Sequence, residues 1–201
     1  MRHALYYHRH SDQIVQNDSS FKNEYEELIS VINGITDDDL IHAFNTRKLE
    51  RPNIKSLSEP INHILKERLV EKKWIPESAI FYDKAYRTNK KWRLDFVKNK
   101  IALEVAFNHG EAIAHNMMKP VLSSELNHVK KDIQTGLGVI ICATNSLKKS
   151  GNFDSAVGSY EKFIEYFKPY QNLIPTPIIL IGLESPKSFH IDKNKKSIHL
   201  N

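Results

Sequence analysis

Two continuous apolar runs constrain the fold of this chain more than any other feature. The first, LGVIICAT, covers residues 137–144, and the second, TPIILIGLE, covers residues 176–184. Short apolar runs without polar alternation are typical of strands that are buried on both faces of a sheet. Because an amphipathic helical pattern over residues 156–170 separates the two runs, the sequence predicts an α/β fold in which helices cover both faces of a mixed central sheet.

The segments before these runs divide into a helical part and a strand part. Helices are predicted over residues 19–34, 36–45 and 58–74, capped by Ser19 or Ser20, by Thr36 and by Ser58, with a polar loop over residues 45–56. Strands are predicted over residues 78–82, 91–97 and 101–107, the last two forming a hairpin, and a proline-broken helix over residues 111–136. We therefore expect a single domain over residues 1–201, with an N-terminal helical part (1–55) and a catalytic core (56–185).

Composition limits the class of protein. The 201 residues are 40% hydrophobic and 26% charged, and no apolar run approaches the length of a membrane span. The N-terminus lacks the apolar stretch of a signal peptide, and the only cysteine, Cys142, cannot form an intrachain disulfide. These features predict an intracellular, cytoplasmic protein. The net charge of +5 is compatible with an anionic partner, although lysine clusters of this size are also common on solvated surfaces.

Two carboxylates interrupt the apolar pattern of the predicted hairpin. Asp95 lies between Leu94 and Phe96, and Glu104 lies on the strand face that also carries two alanines, with eight residues between the two acids. Pairing of the strands would bring the acids together, where their charges repel unless a cation joins them. Mg²⁺ accepts one or two such carboxylates together with water and phosphate oxygens. The alternative from periodicity alone is that both acids lie on the solvated outer face of an amphipathic hairpin.

The hairpin sequence LDFVKNKIALEVAF resembles the catalytic motif of the PD-(D/E)XK nucleases. It is most similar to type II restriction endonucleases of the BglII/BstYI (BamHI-like) branch, in which the second strand reads Glu-Val-Gln-Phe. The preceding SLSEPINHILKERLVEKKW, the GSYEKF segment and the PIILIGL strand also have counterparts in the same order. The resemblance covers roughly residues 55–185.

This resemblance implies a Mg²⁺-dependent homodimer that cuts double-stranded DNA at a short palindromic site. Asp95 and Glu104 would be the catalytic metal ligands, and a cognate DNA methyltransferase would protect the host. The palindrome expected from these relatives contains GATC and is cut with a 5′ overhang.

The chain departs from the family at position 106, where an alanine replaces the lysine or glutamine of its relatives. The groups considered as substitutes are Asn108, His109, Glu111 and Lys119, and we predict catalytic roles for His109 and Glu111. His109 follows the strand, where an imidazole could orient or deprotonate a water molecule. Glu111 has an alternative role as an acid that complements a helix dipole. Glu59 is considered as a further acid of the site. No His-x₃-His or His-Glu-x-x-His spacing supports a zinc site.

DNA recognition needs polar side chains that reach base edges and cations that contact phosphates. In the enzymes that the chain resembles, the loop before the equivalent of GSYEKF carries base-reading residues. The predicted DNA-binding residues here are Asn108, His109, Lys98, Lys149, Asn152, Asp154 and Ser155. The alternative for residues 145–155 is a polar surface turn in which Asp154 and Ser155 cap the next helix.

Three functions follow from these patterns. The first is a type II restriction endonuclease. The second is a repair or recombination nuclease of the same fold, which would recognise DNA structure rather than sequence. The third, raised by Ala106, is a DNA-binding relative that has lost catalysis. A fixed cutting pattern on plasmid DNA distinguishes the first from the second, and metal-dependent binding without cleavage would favour the third.

Overall fold

A mixed β-sheet forms the centre of the molecule, as the apolar runs predict. The structure is a computed structural model that describes residues 1–125 and 129–201. In these residues six strands form the main sheet and two form a separate hairpin. The strands are β1 (His3–His8), β2 (Ile75–Ala79), β3 (Arg93–Lys98), β4 (Ile101–Val105), β5 (Leu137–Ala143), β6 (Ile178–Leu183), β7 (Phe189–Asp192) and β8 (Ser197–Leu200).

The sheet has the strand order β1-β6-β5-β4-β3-β2. Strands β4, β5 and β6 are parallel to one another, whereas β1, β3 and β2 run antiparallel to their neighbours. The carboxyl ends of β4, β5 and β6 therefore meet at one edge of the sheet, called here the carboxyl edge. Every residue of β5 and of β6 is buried, which confirms the prediction for the two apolar runs.

Helices cover both faces of the sheet, which confirms the predicted α/β class. They are α1 (Ser11–Asn17), α2 (Ser19–Asn33), α3 (Asp37–Glu50), α4 (Ser58–Glu71), α5 (Lys84–Arg87), α6 (Ile113–Ser124), α7 (Asn145–Ser150) and α8 (Tyr160–Tyr170). Helices α1 to α4 and α7 pack on the face that carries Val139 and Ile141. Helices α6 and α8 pack on the opposite face, which carries Ile140 and Cys142. No helix in the described ranges is both long and apolar enough to span a membrane.

Several predicted boundaries in the first half of the chain are wrong. Helix α3 does not end at residue 45 but continues to Glu50, although Thr36 caps it as predicted, in a capping box with Asp39. The side chain that caps α2 belongs to Asp18 rather than to Ser19 or Ser20. Helix α4 begins at Ser58, so this residue is not its cap.

Other elements along the chain also differ from prediction. The N-terminus, for which no element is predicted from the sequence, forms β1, and β2 begins at Ile75 rather than at residue 78. Helix α6 continues through Pro120 and ends at Ser124, while the predicted helix extends over residues 126–128, which lie outside the described residues. The predicted loop over residues 145–155 begins with the helix α7.

Candidate active site

The β3–β4 hairpin places Asp95 and Glu104 side by side. The antiparallel ladder pairs Lys98 with Ile101, Val97 with Ala102, and Phe96 with Leu103. Continuing this register makes Asp95 and Glu104 the next pair, although no ladder pairing forms there. The two acids therefore lie where the strands separate, toward the carboxyl edge of the sheet.

The two carboxylates accept hydrogen bonds from backbone N–H groups that would otherwise pair in the strand ladder. The backbone N–H of Asp95 donates to Oε1 of Glu104 at 3.2 Å. The backbone N–H of Val105 donates to Oδ2 of Asp95 at 2.8 Å. Both carboxylates are thus held by donors from the opposite strand, which fixes their positions before any ligand binds.

Glu104 is buried against α6 rather than exposed on the outside of the hairpin. Its side chain is 2% exposed, and its Oε2 accepts a hydrogen bond from Nζ of Lys119 at 2.6 Å. Lys119 is itself a buried residue of α6. The surface alternative for Glu104 is therefore wrong.

Burial and mutual repulsion disfavour the charged forms of both acids. Burial, and then the neighbouring Asp95, raise the pKa of Glu104 to about 8, against the opposing effect of Lys119. Burial also raises the pKa of Asp95, while the Val105 N–H and Lys119 act to lower it and Glu77 acts to raise it. A pair of this kind gains stability from any cation that binds both carboxylates.

An open pocket of about 230 Å³ gives access to Asp95. Its lining residues come from α4 and from the three strands β2, β3 and β4, and they are Asn62, Lys66, Pro76, Glu77, Asp95, Phe96 and Val105. Glu77 lies opposite Asp95 in the β2–β3 register and adopts a left-handed backbone conformation with φ of 52°. A non-glycine residue in this conformation is strained, and such strain is concentrated at functional sites.

Sequence reasoning missed Glu77 because no motif marks it. The residue lies ahead of the predicted strand over residues 78–82, and only the actual start of β2 at Ile75 places it beside Asp95. The left-handed backbone conformation of a glutamate cannot be recognised from sequence.

The donors at this site fit a hard divalent cation. In the part of the chain that the structure describes, no three or more histidine, cysteine, aspartate or glutamate side chains form a ready-made metal cluster. Mg²⁺ does not require one, because it commonly takes one or two carboxylates and completes its shell with water and phosphate oxygens. Asp95 and Glu104, next to an open pocket, provide such an incomplete shell.

Among the described residues, the other predicted catalytic groups make no polar contact with this carboxylate pair. Asn108, His109 and Glu111 are exposed residues beyond the end of β4. Within the described residues, neither His109 nor Glu111 makes a side-chain hydrogen bond or ion pair with Asp95 or Glu104. Lys119 is the group among the four considered substitutes that contacts the pair.

Glu59 belongs to a different cluster. Its Oε1 accepts from Arg47 at 2.7 Å and from Arg51 at 3.1 Å, so it joins α3 to the start of α4. Glu59 is therefore paired with two guanidinium groups, and it is not among the residues that line the pocket beside Asp95.

The predicted DNA-reading residues come together at the carboxyl edge of the sheet. The segment after β4 and the segment after α7 are joined by backbone hydrogen bonds from Gly158 to the Asn108 carbonyl at 3.1 Å and from Gly110 to the Ala156 carbonyl at 2.7 Å. The Asn108 side chain accepts a hydrogen bond from Asn116 at 2.9 Å.

The loop over residues 151–155 forms one wall of a groove of about 480 Å³. The groove is rich in lysines, and its lining comprises Lys55, Lys148, Lys149, Asn152, Phe153, Asp154, Ser155, Lys193 and Lys196. Asp154 accepts from the backbone N–H of Ala156 and Asn152 donates to the Lys55 carbonyl, so both side chains also shape the loop. The groove therefore combines polar side chains with a concentration of positive charge.

Lys98 lies at the opposite edge of the sheet, beside the β3–β4 turn. Its ammonium group contacts Oε1 of Glu27 at 2.6 Å and the Lys72 carbonyl at 2.8 Å. Because this charge is already paired and lies away from the lysine-rich groove, we do not include Lys98 in the DNA interface proposed below.

Comparison with known proteins agrees with this arrangement. A sheet of this topology with paired carboxylates on an antiparallel hairpin defines a protein with a restriction-endonuclease fold. A solved structure of restriction endonuclease BglII complexed with a DNA 16-mer is similar to this chain with a TM-score of 0.66 and 17% sequence identity, covering 98% of this chain and 87% of that one. Free BglII is similar with a TM-score of 0.57 and 16% identity, covering 91% and 79%.

The family model for restriction endonuclease BglII/BglIII matches residues 3–183. The chain therefore belongs to this family of site-specific deoxyribonucleases. A search of curated proteins finds no match. The matched region ends before β7, so the β7–β8 hairpin lies outside it.

Proposed function

We propose that this chain is a type II restriction endonuclease that hydrolyses phosphodiester bonds in double-stranded DNA with Mg²⁺ as its cofactor. The observation that carries the proposal is the buried pair Asp95 and Glu104, held side by side where β3 and β4 separate. The family match supports DNA cleavage, and the hairpin motif supports the BglII/BstYI (BamHI-like) branch. We propose that residues 1–201 act as one endonuclease domain.

Asp95 and Glu104 would hold the metal ion in this proposal. When bound, Mg²⁺ supplies a polarised water and stabilises the negative charge that develops on the phosphate. The chain's own contribution is to fix the two carboxylates through the N–H groups of Val105 and Asp95. Glu77 adds a second carboxylate, besides that of Asp95, to the lining of the pocket, and Lys66 on its α4 side adds a cation suited to a phosphate oxygen.

The lysine-rich groove is the proposed DNA interface. Lys149 and the other exposed lysines would contact phosphates, whereas Asn152 and Ser155 of the groove would approach base edges. Asn108 and His109, in the adjoining segment after β4, would do so as well. Asp154 would act mainly by shaping the loop. His109 has its proposed role here rather than in proton transfer, and Glu111 has no proposed role in the reaction.

A palindromic target is matched by a two-fold symmetric protein. We therefore propose a homodimer in which each protomer cuts one strand, and a cognate methyltransferase that protects host DNA. A GATC-containing palindrome cut with a 5′ overhang is the proposed target class. Light scattering on the protein, with and without a short DNA duplex, measures the number of protomers.

The proposed activity is tested by incubating the purified protein with phage DNA in the presence of Mg²⁺ or of EDTA and sequencing the fragment ends. Discrete fragments with one common end sequence, formed only with Mg²⁺, are the expected result. Mg²⁺-dependent degradation without a common end would instead indicate a nuclease that recognises DNA structure. Intact DNA under both conditions would contradict the proposal and favour a binding protein in which Ala106 marks the loss of catalysis.

Charge removal in the groove should weaken binding to all DNA sequences equally. Replacing Lys149, Lys193 and Lys196 together by glutamine is expected to reduce the slope of log K against log salt by roughly 0.9 for each phosphate that the protein no longer neutralises, or about 3 in total. Fluorescence anisotropy in EDTA at several salt concentrations measures this slope. The matched control replaces the exposed lysines Lys22 and Lys168, on α2 and α8, and an equal reduction there would contradict the proposed interface.

A further inference from the structure

Position 106 leaves the second catalytic strand without a polar side chain next to Glu104. Ala106 is 2% exposed and packs with Ile113 and Met117 of α6, so no group on the strand itself replaces the lysine or glutamine of related enzymes. Helix α6 also carries Lys119, whose Nζ lies 2.6 Å from Oε2 of Glu104. The positive charge therefore reaches the acid from the neighbouring helix.

Small residues in the sheet let α6 approach closely enough for this contact. A Cβ atom added at Gly138 of β5 would lie only 2.6 Å from the Cβ of Pro120, the residue that follows Lys119. Gly138 pairs with Ala102 of β4, on the same face as Glu104. A larger side chain at Gly138 would push the helix, and with it Lys119, away from the sheet.

Stability alone is a poor explanation for a lysine at this place. The side chain of Lys119 is 10% exposed, and its neighbours three and four positions away on α6 include the buried or half-buried residues Asn116, Leu122 and Ser123. Replacing both members of a buried charged pair by apolar residues is often neutral or stabilising, although removing one member alone is destabilising, so the pair as a whole is not explained by stability. The contact between the buried ammonium group and the carboxylate therefore points to a role in the chemistry of Glu104.

We propose that Lys119 is a positioning residue for DNA cleavage, which supplies from α6 the positive charge that the catalytic strand lacks at Ala106. The inference rests on the proposed function of Glu104 as a metal ligand. In the metal-free protein the ammonium group offsets the charge of the acid pair and holds one oxygen of Glu104. When the metal binds, the same contact keeps that carboxylate in the orientation in which it can serve as a ligand.

The test compares Lys119→Met and Lys119→Arg with the wild-type protein. The first variant removes the charge at similar length, and the second keeps it. Loss of an outer partner of a metal ligand typically reduces activity about 10- to 100-fold, which is the expected loss of cleavage in Lys119→Met at saturating Mg²⁺, where the orientation of the carboxylate and not the metal affinity limits the rate. Lys119→Arg should recover a large part of that loss.

A second readout does not depend on activity. In EDTA, Lys119→Met should have a lower thermal midpoint, because two acids share one site without a counter-ion. Adding Mn²⁺ should raise the midpoint of Lys119→Met by more degrees than that of the wild type, because the metal replaces the missing charge. If the variant is unfolded in EDTA, circular dichroism should show that Mn²⁺ restores its structure.

Lys131→Met is the matched control, since the Lys131 ammonium contacts the Leu122 carbonyl and the Phe81 ring instead of an acid. It should respond to Mn²⁺ as the wild type does. An equal Mn²⁺ response in Lys119→Met and wild type would overturn the inference, even with cleavage abolished, because Lys119 would then act elsewhere than through Glu104. A Lys119→Met variant that Mn²⁺ cannot refold, or that cleaves at the wild-type rate, would overturn it as well.

The two failures are distinguishable. The response of the thermal midpoint to Mn²⁺ can be measured whether or not the wild-type protein cuts DNA. Failure of the proposed function appears in the wild type as intact DNA, whereas failure of the present inference appears in the variant as an unchanged metal response.

Discussion

Replacing Asp95 by asparagine, or Glu104 by glutamine, is expected to reduce DNA cleavage by about 1,000-fold, the loss that accompanies removal of a group that stabilises charge in a transition state. The amide substitutions keep the shape of the side chains and remove the negative charge that a divalent ion needs. In Asp95→Asn the amide oxygen can still accept from the backbone N–H of Val105, so the hairpin should keep its fold. Single-turnover cleavage with saturating protein measures the loss.

DNA binding separates this effect from damage to the fold. Both variants should bind a DNA duplex in EDTA with an affinity close to that of the wild type, because the acids make no attractive contact with phosphate without a metal ion. Glu165→Gln, at an exposed position on α8, is the control and should cleave normally. Cleavage at the wild-type rate by either variant would show that the assignment of the site is wrong.

The second large effect is a change in the apparent affinity for Mg²⁺ with pH. The pKa of Glu104 is raised to about 8, so its ionised form, which binds metal, is a minor species at lower pH. Binding must release the proton, and the apparent affinity for Mg²⁺ should therefore fall by about tenfold for each pH unit below about 8 and become constant above it. Cleavage at limiting Mg²⁺ between pH 6 and 9 should follow the same curve.

The stability of the metal-free protein should change in the opposite direction. Because the pKa of Glu104 rises from its usual 4.5 to about 8 on folding, the folded state binds more protons than the unfolded state between these values. The free energy of unfolding in EDTA should accordingly decrease as the pH rises through this window. Glu104→Gln removes the titrating group and should flatten the profile. A wild-type profile as flat as that of the variant would show that Glu104 is ionised throughout.

The sequence predicts those parts of the site that depend on the pattern of neighbouring residues. Asp95 and Glu104 interrupt short strands with otherwise apolar patterns, and alternation along β4 correctly placed Glu104 on the face with Ala102 and Ala106. The buried strands β5 and β6 were equally clear because their apolar runs are continuous. Their pairing to form the centre of the sheet follows from the need to cover both faces.

The elements that were missed depend on contacts between distant parts of the chain. Strand β1, HALYYH, has no apolar run and forms because β6 offers it an antiparallel edge. Helix α7 is polar apart from the buried Leu147, and it is fixed by the cap at Thr144 and by packing against the sheet. Lys119 and Glu77 reach the acid pair through a close helix–sheet contact and a left-handed backbone residue, and neither can be recognised in a local pattern.

Asp95 and Glu104 together are proposed to hold the metal ion that cuts DNA, and every other role assigned to the site depends on this. The most direct test is anomalous diffraction from crystals of the protein with a DNA duplex and Mn²⁺. We expect an anomalous peak at a bonding distance of roughly 2 Å from carboxylate oxygens of both Asp95 and Glu104, next to a phosphate of the duplex. A Mn²⁺ peak bound elsewhere on the protein, with none between these two residues, would contradict the assignment.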